Sequence, residues 1–473
     1  MENKKGFVSF VGAGPGDIEL ITTKGLECLK QADVILYDRL ANPRLLRFAK
    51  QSCAFIYCGK LPNRHIMRQE NINQSLVQFA KQGKYVVRLK GGDPSVFGRV
   101  GEEAEELVVS DIPYEIVPGI TSSIAAAAYA GIPVTHRRYS NSFTLRTGHA
   151  CVNNEQMNED KNHTGDTIAY YMGMKKLVEN CDDLINQGKP LDTKVAIIQW
   201  GTLGKQKVVK GTLETIKDII EKENIGNPAM MIVGDVVALS ESLAWFEKKR
   251  FSGKRVIIAK ATASTFGLER YFAELGAEAY SFPLFKKQSN QFTQNELEAI
   301  MNAEKLIFAA PESVELLFYE LAKANFDIRD LPRNIEYQTE KAKQALAAKG
   351  IMAAKAQGSN EGAIIIGPEG YKNKEAKVYY SHEWLVDSRF DAINKRLLME
   401  DKWETVIFPN KAAVKCYVEE LEKLDIHHLD AIQFAYIGET VKEYAFGLGF
   451  NTVDESIQTE LERMEWNGGV END

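Results

Sequence analysis

Short apolar runs recur along the whole chain, separated by segments whose apolar residues repeat at helical spacing, and this alternation most constrains the fold. In the first half the runs fall at 7–11, 34–37, 85–89, 114–117, 167–171, 195–200 and 229–233. Helix-like segments lie between them at 24–31, 101–109 and 212–222. Strands interleaved with helices in this way predict an α/β fold. A chain of 473 residues exceeds one ordinary core. The charged stretch "WFEKKRFSGK" closes one α/β series, and a fresh strand-like run follows at 256–259. The expected division is therefore into domains 1–250 and 251–473. The second series predicts strands at 305–308, 362–366, 405–408 and 433–437, and helices at 313–324, 412–424 and 440–447. Between Cys151 and Gly165 the polar, aperiodic "CVNNEQMNEDKNHTG" predicts a surface loop.

Composition narrows the class. With 44% hydrophobic and 26% charged residues the chain reads as globular. No apolar stretch approaches the roughly 20 residues that span a bilayer, and "MENKKGFVSF" lacks the apolar core of a secretory signal. The 6 cysteines form no C-x-x-C pair, so neither a metal site nor a disulfide framework is signalled, and a reducing cytoplasm is expected. Residues 1–246 carry 29 basic and 28 acidic side chains, whereas 247–473 carry 29 and 37. The acidic second half argues against nucleic acid as a partner. An anionic ligand of the balanced first half must meet a local basic cluster.

"VGAGPGD", Val11 to Asp17, follows the first strand-like run. A dinucleotide fingerprint needs a third glycine where Asp17 stands. Pro15 removes a backbone donor, and the Asp17 carboxylate would repel a phosphate. The turn can still bring bare backbone close to a ligand without a phosphate, and an ordinary ligand-free turn stays open. Further punctuated stretches sit at run ends, where α/β sheets bind ligands. "YDRL" delivers Asp38, "CGK" Lys60, and "RLKGGDPSVFGR" Gly91, Gly92 and Asp93. "VPGITSS" presents Thr121 and Ser122, "GIPVTHRR" Arg137 and Arg138, "YYMGM" Met172 and "QWGTLG" Gly201. Taken singly, Asp38 reads as a cap or ion-pair partner, Lys60 as a surface charge, Met172 as core, and His136 and His149 as structural histidines.

Taken together and in order, these stretches resemble the tetrapyrrole methylase family, and within it the members acting on uroporphyrinogen III. The resemblance rests on VGAGPGD, QADVILYDRL, VVRLKGGDPSVFGR, IVPGITSS, AAYAGIPVTHR, TGH, YYMGM and WGT, spread over residues 7–240. It implies two α/β lobes around a cleft for S-adenosylmethionine, in a homodimer. It implies donor contacts at Pro15, Gly91, Gly92, Asp93, Val96, Thr121, Ser122, Met172 and Gly201. It further implies methyl transfer to C2 and C7 of uroporphyrinogen III, with Asp38 as base and Lys60 as acid. Arg39, Arg64, Arg99, Arg137 and Arg138 are candidates for a basic rim meeting the substrate's carboxylates. Arg146 and Arg68 depart from the family pattern. A nicotinamide oxidoreductase would need the missing G-x-G-x-x-G turn, while a non-catalytic donor-binding regulator, or action on a different tetrapyrrole, stays open.

The second half more thinly resembles the uroporphyrinogen-III synthase family, in "GKRVIIAK", "FPLF", "QTEKAKQALAAKG" and "FAYIGETVKEY". That resemblance implies a two-lobed α/β domain that cyclises hydroxymethylbilane. Its first lobe would be discontinuous, 254–286 with 381–473, and its second 287–380. Thr339, Tyr379 or Tyr380, and Thr440 are its polar candidates. Too few residues part "AIIIGPEG" from that tyrosine for a full strand–helix–strand step. A degenerate, non-catalytic partner surface is the alternative.

Overall fold

The computed structural model describes residues 5–59, 69–148, 165–263, 267–427 and 432–466. Its first sheet holds β1 (Phe7–Gly12), β2 (Val34–Tyr37), β3 (Ala54–Tyr57), β4 (Tyr85–Lys90) and β5 (Tyr114–Val117) in the order β3-β2-β4-β1-β5. Every pairing in it is parallel. Parallel strands need crossovers, which α1 (Thr23–Gln31), α2 (Gln69–Lys81) and α3 (Val100–Val109) supply. Buried apolar residues on both faces of β1 and β4 fit a sheet covered on two sides.

The helix α4 (Ser122–Tyr129) leads into a second sheet. It comprises β6 (Phe143–Thr147), β7 (Thr167–Tyr171), β8 (Lys194–Gln199), β9 (Lys207–Thr212) and β10 (Ala229–Val233), in the order β6-β7-β10-β8-β9. Only β6 and β7 run parallel. The helix expected at 212–222 starts at Ile216. Thr212 instead ends β9, and its backbone N–H and hydroxyl both meet the Thr215 hydroxyl, at 3.0 and 3.1 Å, in a local turn that competes with helix.

The second half contributes β11 (Arg255–Ala259), β12 (Glu278–Phe282), β13 (Phe285–Ser289), β14 (Leu306–Phe308), β15 (Ile335–Tyr337), β16 (Ala354–Lys355), β17 (Ile364–Pro368), β18 (Lys377–Val386), β19 (Thr405–Phe408) and β20 (Gln433–Tyr436). They form two sheets, β12-β11-β19-β20 and β13-β18-β17-β14-β15-β16. One lobe is therefore built from both ends of this half. Its crossings lie after β12 and after β18, not at 286 and 381. The cause is β18, a single ten-residue strand that pairs parallel with β17 and antiparallel with β13, Phe285 opposite Val386. The β17–β18 connection, 369–376, contains no helix. It turns instead on Asn373, whose Oδ1 accepts the N–H groups of Glu375 and Ala376 at 2.8 and 2.9 Å.

The halves share buried contacts. Leu284, Phe390 and Ile393 join Val11, Ile35, Tyr37, Val87 and Leu89 in one apolar cluster. Glu269 is buried and receives Arg44 Nη2 and Arg47 Nη1 at 2.5 and 2.7 Å. Arg389 donates from Nη1 to the carbonyls of Lys50 and Cys53 at 2.9 and 3.2 Å. No described helix is long and apolar enough to cross a membrane.

Candidate functional site

At the C-terminal edge of the first sheet, three glycine turns press together. Gly92 N donates to Gly14 O at 2.7 Å, and Gly14 N to Gly92 O at 3.2 Å. A Cβ on Gly119 would lie 2.4 Å from Gly92 O, and one on Gly12 would lie 2.6 Å from the Gly119 Cα, so neither position tolerates a side chain. Gly92 sits at φ +68°, where L-residues are strained. Its missing Cβ faces open space bounded by Thr121 Cα and Ser122 N, each 3.8 Å away. The bare Gly92 backbone thus looks onto the N-terminus of α4.

The Asp93 carboxylate holds these turns, accepting Gly119 N at 3.0 Å and Ser95 N at 2.7 Å, while Val96 N closes onto Asp93 O at 3.2 Å. Gly91 packs on Leu40, where a Cβ would come within 2.9 Å of the Leu40 Cβ. The second sheet closes the other side. Tyr171 ends β7, and its hydroxyl lies 2.5 Å from Thr121 Oγ1 and accepts Ser123 N at 3.1 Å. Its ring also meets that of Phe97 at 5.0 Å. Gly201 follows β8 against α4, where a Cβ would stand 2.3 Å from the Ala126 Cβ. Phe97, Arg99, Met172, Trp200 and Thr202 all adopt left-handed backbone, with φ from 51 to 70°. Strain of this kind gathers at ligand sites. Pro15 is half-buried in the first turn, and Met172 is half-exposed.

Asp17 plays a structural part. Its carboxylate accepts Glu19 N at 2.9 Å and Tyr129 OH at 2.8 Å, and its N–H donates to Thr202 Oγ1 at 3.0 Å. It joins the first lobe to the second.

S-adenosylmethionine carries no phosphate, so its binding calls for bare peptide edges without a basic cradle. Gly14, Pro15, Gly92, Asp93, Thr121 and Ser122 supply neutral or acidic groups there, and the buried Ser123 Oγ has no hydrogen-bond partner among the described residues. These residues fit the donor.

Asp38 directly follows β2. Arg88, buried on β4, donates from Nη2 to Asp38 Oδ1 at 2.6 Å. The same guanidinium reaches Glu103 Oε1 on α3 at 3.3 Å through Nε, and Lys90 Nζ reaches that oxygen at 2.9 Å. Burial, with Arg88 adding to it, pushes the Lys90 ammonium below its ordinary pKa despite Glu103. For Arg88 burial acts downward too, but Asp38 and Glu103 outweigh it and raise the guanidinium. Sequence reasoning missed Arg88, Lys90 and Glu103. A signal existed: Val86, Arg88 and Lys90 share one face of a strand whose other face, Val87 and Leu89, is apolar core.

The remaining candidates are dispersed. Arg39, Arg137 and Arg138 are exposed. Arg99 is exposed and bound to Glu102 at 2.5 and 2.9 Å. Lys60, Arg64, Arg68, His149 and the 151–164 stretch lie outside the described residues. In the second half, Thr339 caps the helix Glu340–Ala348, accepting Ala342 N at 3.2 Å, and Thr440 is exposed at the start of Glu439–Gly447. Tyr379 is buried in an apolar cluster, whereas Tyr380 is exposed and donates to Tyr371 O at 3.3 Å.

Two α/β lobes thus meet over bare glycine backbone, with an ion-paired carboxylate on the same sheet edge, an arrangement that suits a neutral or cationic small molecule. The profile of Tetrapyrrole (Corrin/Porphyrin) Methylases matches residues 8–217. A uroporphyrinogen-III C-methyltransferase of Bacillus subtilis (strain 168) is 42% identical over 431 residues, 89% of each chain. Another, from Priestia megaterium, is 58% identical over 237 residues, 50% of this chain and 100% of its own. A crystal structure of uroporphyrin-III C-methyl transferase from Thermus thermophilus complexed with S-adenyl homocysteine shares 34% identity, covers 50% of this chain and 100% of that one, and has a TM-score of 0.42. The chain belongs to the tetrapyrrole methylase family, and S-adenosylmethionine is its cofactor.

Proposed function

We propose that residues 1–250 methylate uroporphyrinogen III at C2 and C7, giving precorrin-2. The observation that carries this is the placement of Asp38 on the same sheet edge as the bare Gly14–Gly92 turn, held there by Arg88 at 2.6 Å. When bound, S-adenosylmethionine supplies an electrophilic methyl group on a sulfonium. The chain's own part is to orient donor and macrocycle and to take up the proton that the methylated macrocycle loses, at Asp38 Oδ. Lys60 is assigned the acid role on its sequence position alone. The exposed Arg39, Arg137 and Arg138 are assigned to the substrate's carboxylates, Arg64 joins them on the motif resemblance alone, and Arg99 joins them by exchanging its Glu102 partner. The unit works as a cytoplasmic homodimer. Incubation with uroporphyrinogen III and methyl-labelled S-adenosylmethionine should yield a dimethylated product; no label in the tetrapyrrole would refute the reading.

For residues 251–473 the proposal is cyclisation of hydroxymethylbilane to uroporphyrinogen III. The half is acidic as a whole, yet a cleft of about 230 Å³ between its two sheets and the first half is lined by Lys260, Lys286 and Lys287, beside Arg47 and Arg389, which are paired with Glu269 and the lining Asp387. That local charge suits a polycarboxylate. The competing reading, a non-catalytic partner, draws support from Tyr379 being core and Thr339 being a helix cap. The full chain given hydroxymethylbilane separates the two: type III isomer means synthase, and spontaneous type I isomer means partner.

A further inference from the structure

The helix Asp391–Glu400 of the second half lies against the ends of β2 and β3. Ile393 buries in the cluster that holds Tyr37. One turn on, the Arg396 guanidinium stands over the Tyr57 ring, 4.1 Å from its centroid, and 6.0 Å from that of Tyr37. The two tyrosines contact each other at 5.3 Å. Tyr57 in turn folds back on Gly59, where a Cβ would come within 2.3 Å of its hydroxyl oxygen and 2.4 Å of Cζ. The ring is thus clamped between Gly59 and a cation from the other half of the chain. Tyr37 immediately precedes Asp38. Both clamped residues sit where β2 and β3 end at the cleft.

We infer that Arg396 is a positioning residue for methyl transfer: by holding its cation over Tyr57 and beside Tyr37 it sets how the chain leaves β2 and β3 at the cleft. The second half then serves the first whether or not it has chemistry of its own. A cation over an aromatic face is attracted by the ring quadrupole, an attraction that an apolar neighbour of equal size would not supply. The donor turns belong to β1, β4 and β5, outside the clamp, so donor binding is not expected to depend on it. This inference rests on the methylase reading given above.

The test compares full-length wild type, Arg396→Ala and Arg396→Lys. In Arg396→Ala, kcat for methyl transfer is expected to fall about tenfold, since small misplacements near reacting groups have large effects. Affinity for S-adenosylhomocysteine should stay within about twofold, and Arg396→Lys, which keeps the cation, should recover most of the rate. Amide hydrogen exchange supplies a readout independent of turnover: Tyr57, Cys58 and Gly59 should exchange faster in Arg396→Ala, with β1 and β4 unchanged. Wild-type kcat together with unchanged exchange would overturn the inference, as would an equal loss in Arg396→Lys or a matching loss of donor affinity. If wild type itself fails to methylate, the functional reading falls, and exchange alone decides whether Arg396 positions these strand ends.

Discussion

Arg88 and Asp38 form a 2.6 Å ion pair from β4 to the end of β2, and the arginine is almost wholly buried while the carboxylate is one-third exposed. The cation inside the lobe therefore aims a partly exposed anion at the cleft. Replacing Asp38 by Asn should lower kcat by about 10²–10⁴-fold, the usual contribution of a positioned acid or base. Titration with S-adenosylhomocysteine should give near-wild-type affinity, and full turnover in the variant would remove Asp38 from the mechanism.

Arg88→Ala should behave differently. It leaves Glu103 buried with Lys90 and the Gln69 amide and releases Asp38, so both turnover and stability fall, the latter by about 3 kcal/mol. Urea unfolding monitored on the full chain checks this, and Arg88→Met should be milder because it restores apolar packing.

Gly92→Ala combines a disfavoured φ of +68° with a methyl group pointing at the start of α4. Because the nearest atoms are 3.8 Å away, the folded chain has room for it; a bound ligand would not. Affinity for S-adenosylhomocysteine should drop at least about tenfold, equivalent to about 1.4 kcal/mol, in a chain that stays folded but loses about 1–2 kcal/mol of stability to the left-handed backbone. Isothermal titration distinguishes this from plain unfolding.

Glu269 is the shared partner of Arg44 and Arg47 across the two halves. Glu269→Ala would remove the carboxylate that two buried cations share, leaving Glu278 at 4.0 Å from Arg44, at a cost of about 3 kcal/mol. Calorimetry should show the unfolding transition moving down and broadening as the halves lose their coupling; an unchanged endotherm would mean that the apolar cluster alone holds them.

His382, fully buried on β18, has Nδ1 2.8 Å from Ser381 Oγ and, among the described residues, no partner at Nε2. Burial, aided by Lys287, pushes its pKa down to about 4. The unfolded imidazole takes up its proton near the ordinary value of about 6.5. Stability from the neutral ring is thus complete above that pH and is lost as pH falls toward about 4. Denaturation midpoints measured from pH 7 to 4.5 should fall in wild type and fall less in His382→Gln.

Sequence alone determined the elements whose signal is local. Runs at 34–37, 114–117, 167–171, 229–233 and 405–408 became strands residue for residue, because an apolar run between turn formers leaves little choice of period. The turn glycines and Asp93 stood out through their motifs, although the contacts that require them are distant in the chain: Gly14 meets Gly92, and Asp93 meets Gly119. Edge and mixed-polarity strands such as β3, β9 and β18 were not legible, since their pairing comes from neighbours distant in the chain. The partners of Asp38 and Tyr57 were hidden more deeply. Arg88 lies 50 residues beyond Asp38, and Arg396 belongs to the other half. Only the packing of strands side by side, and of one half on the other, decides which charge meets which ring or carboxylate, because ion pairing and stacking depend on distance in space.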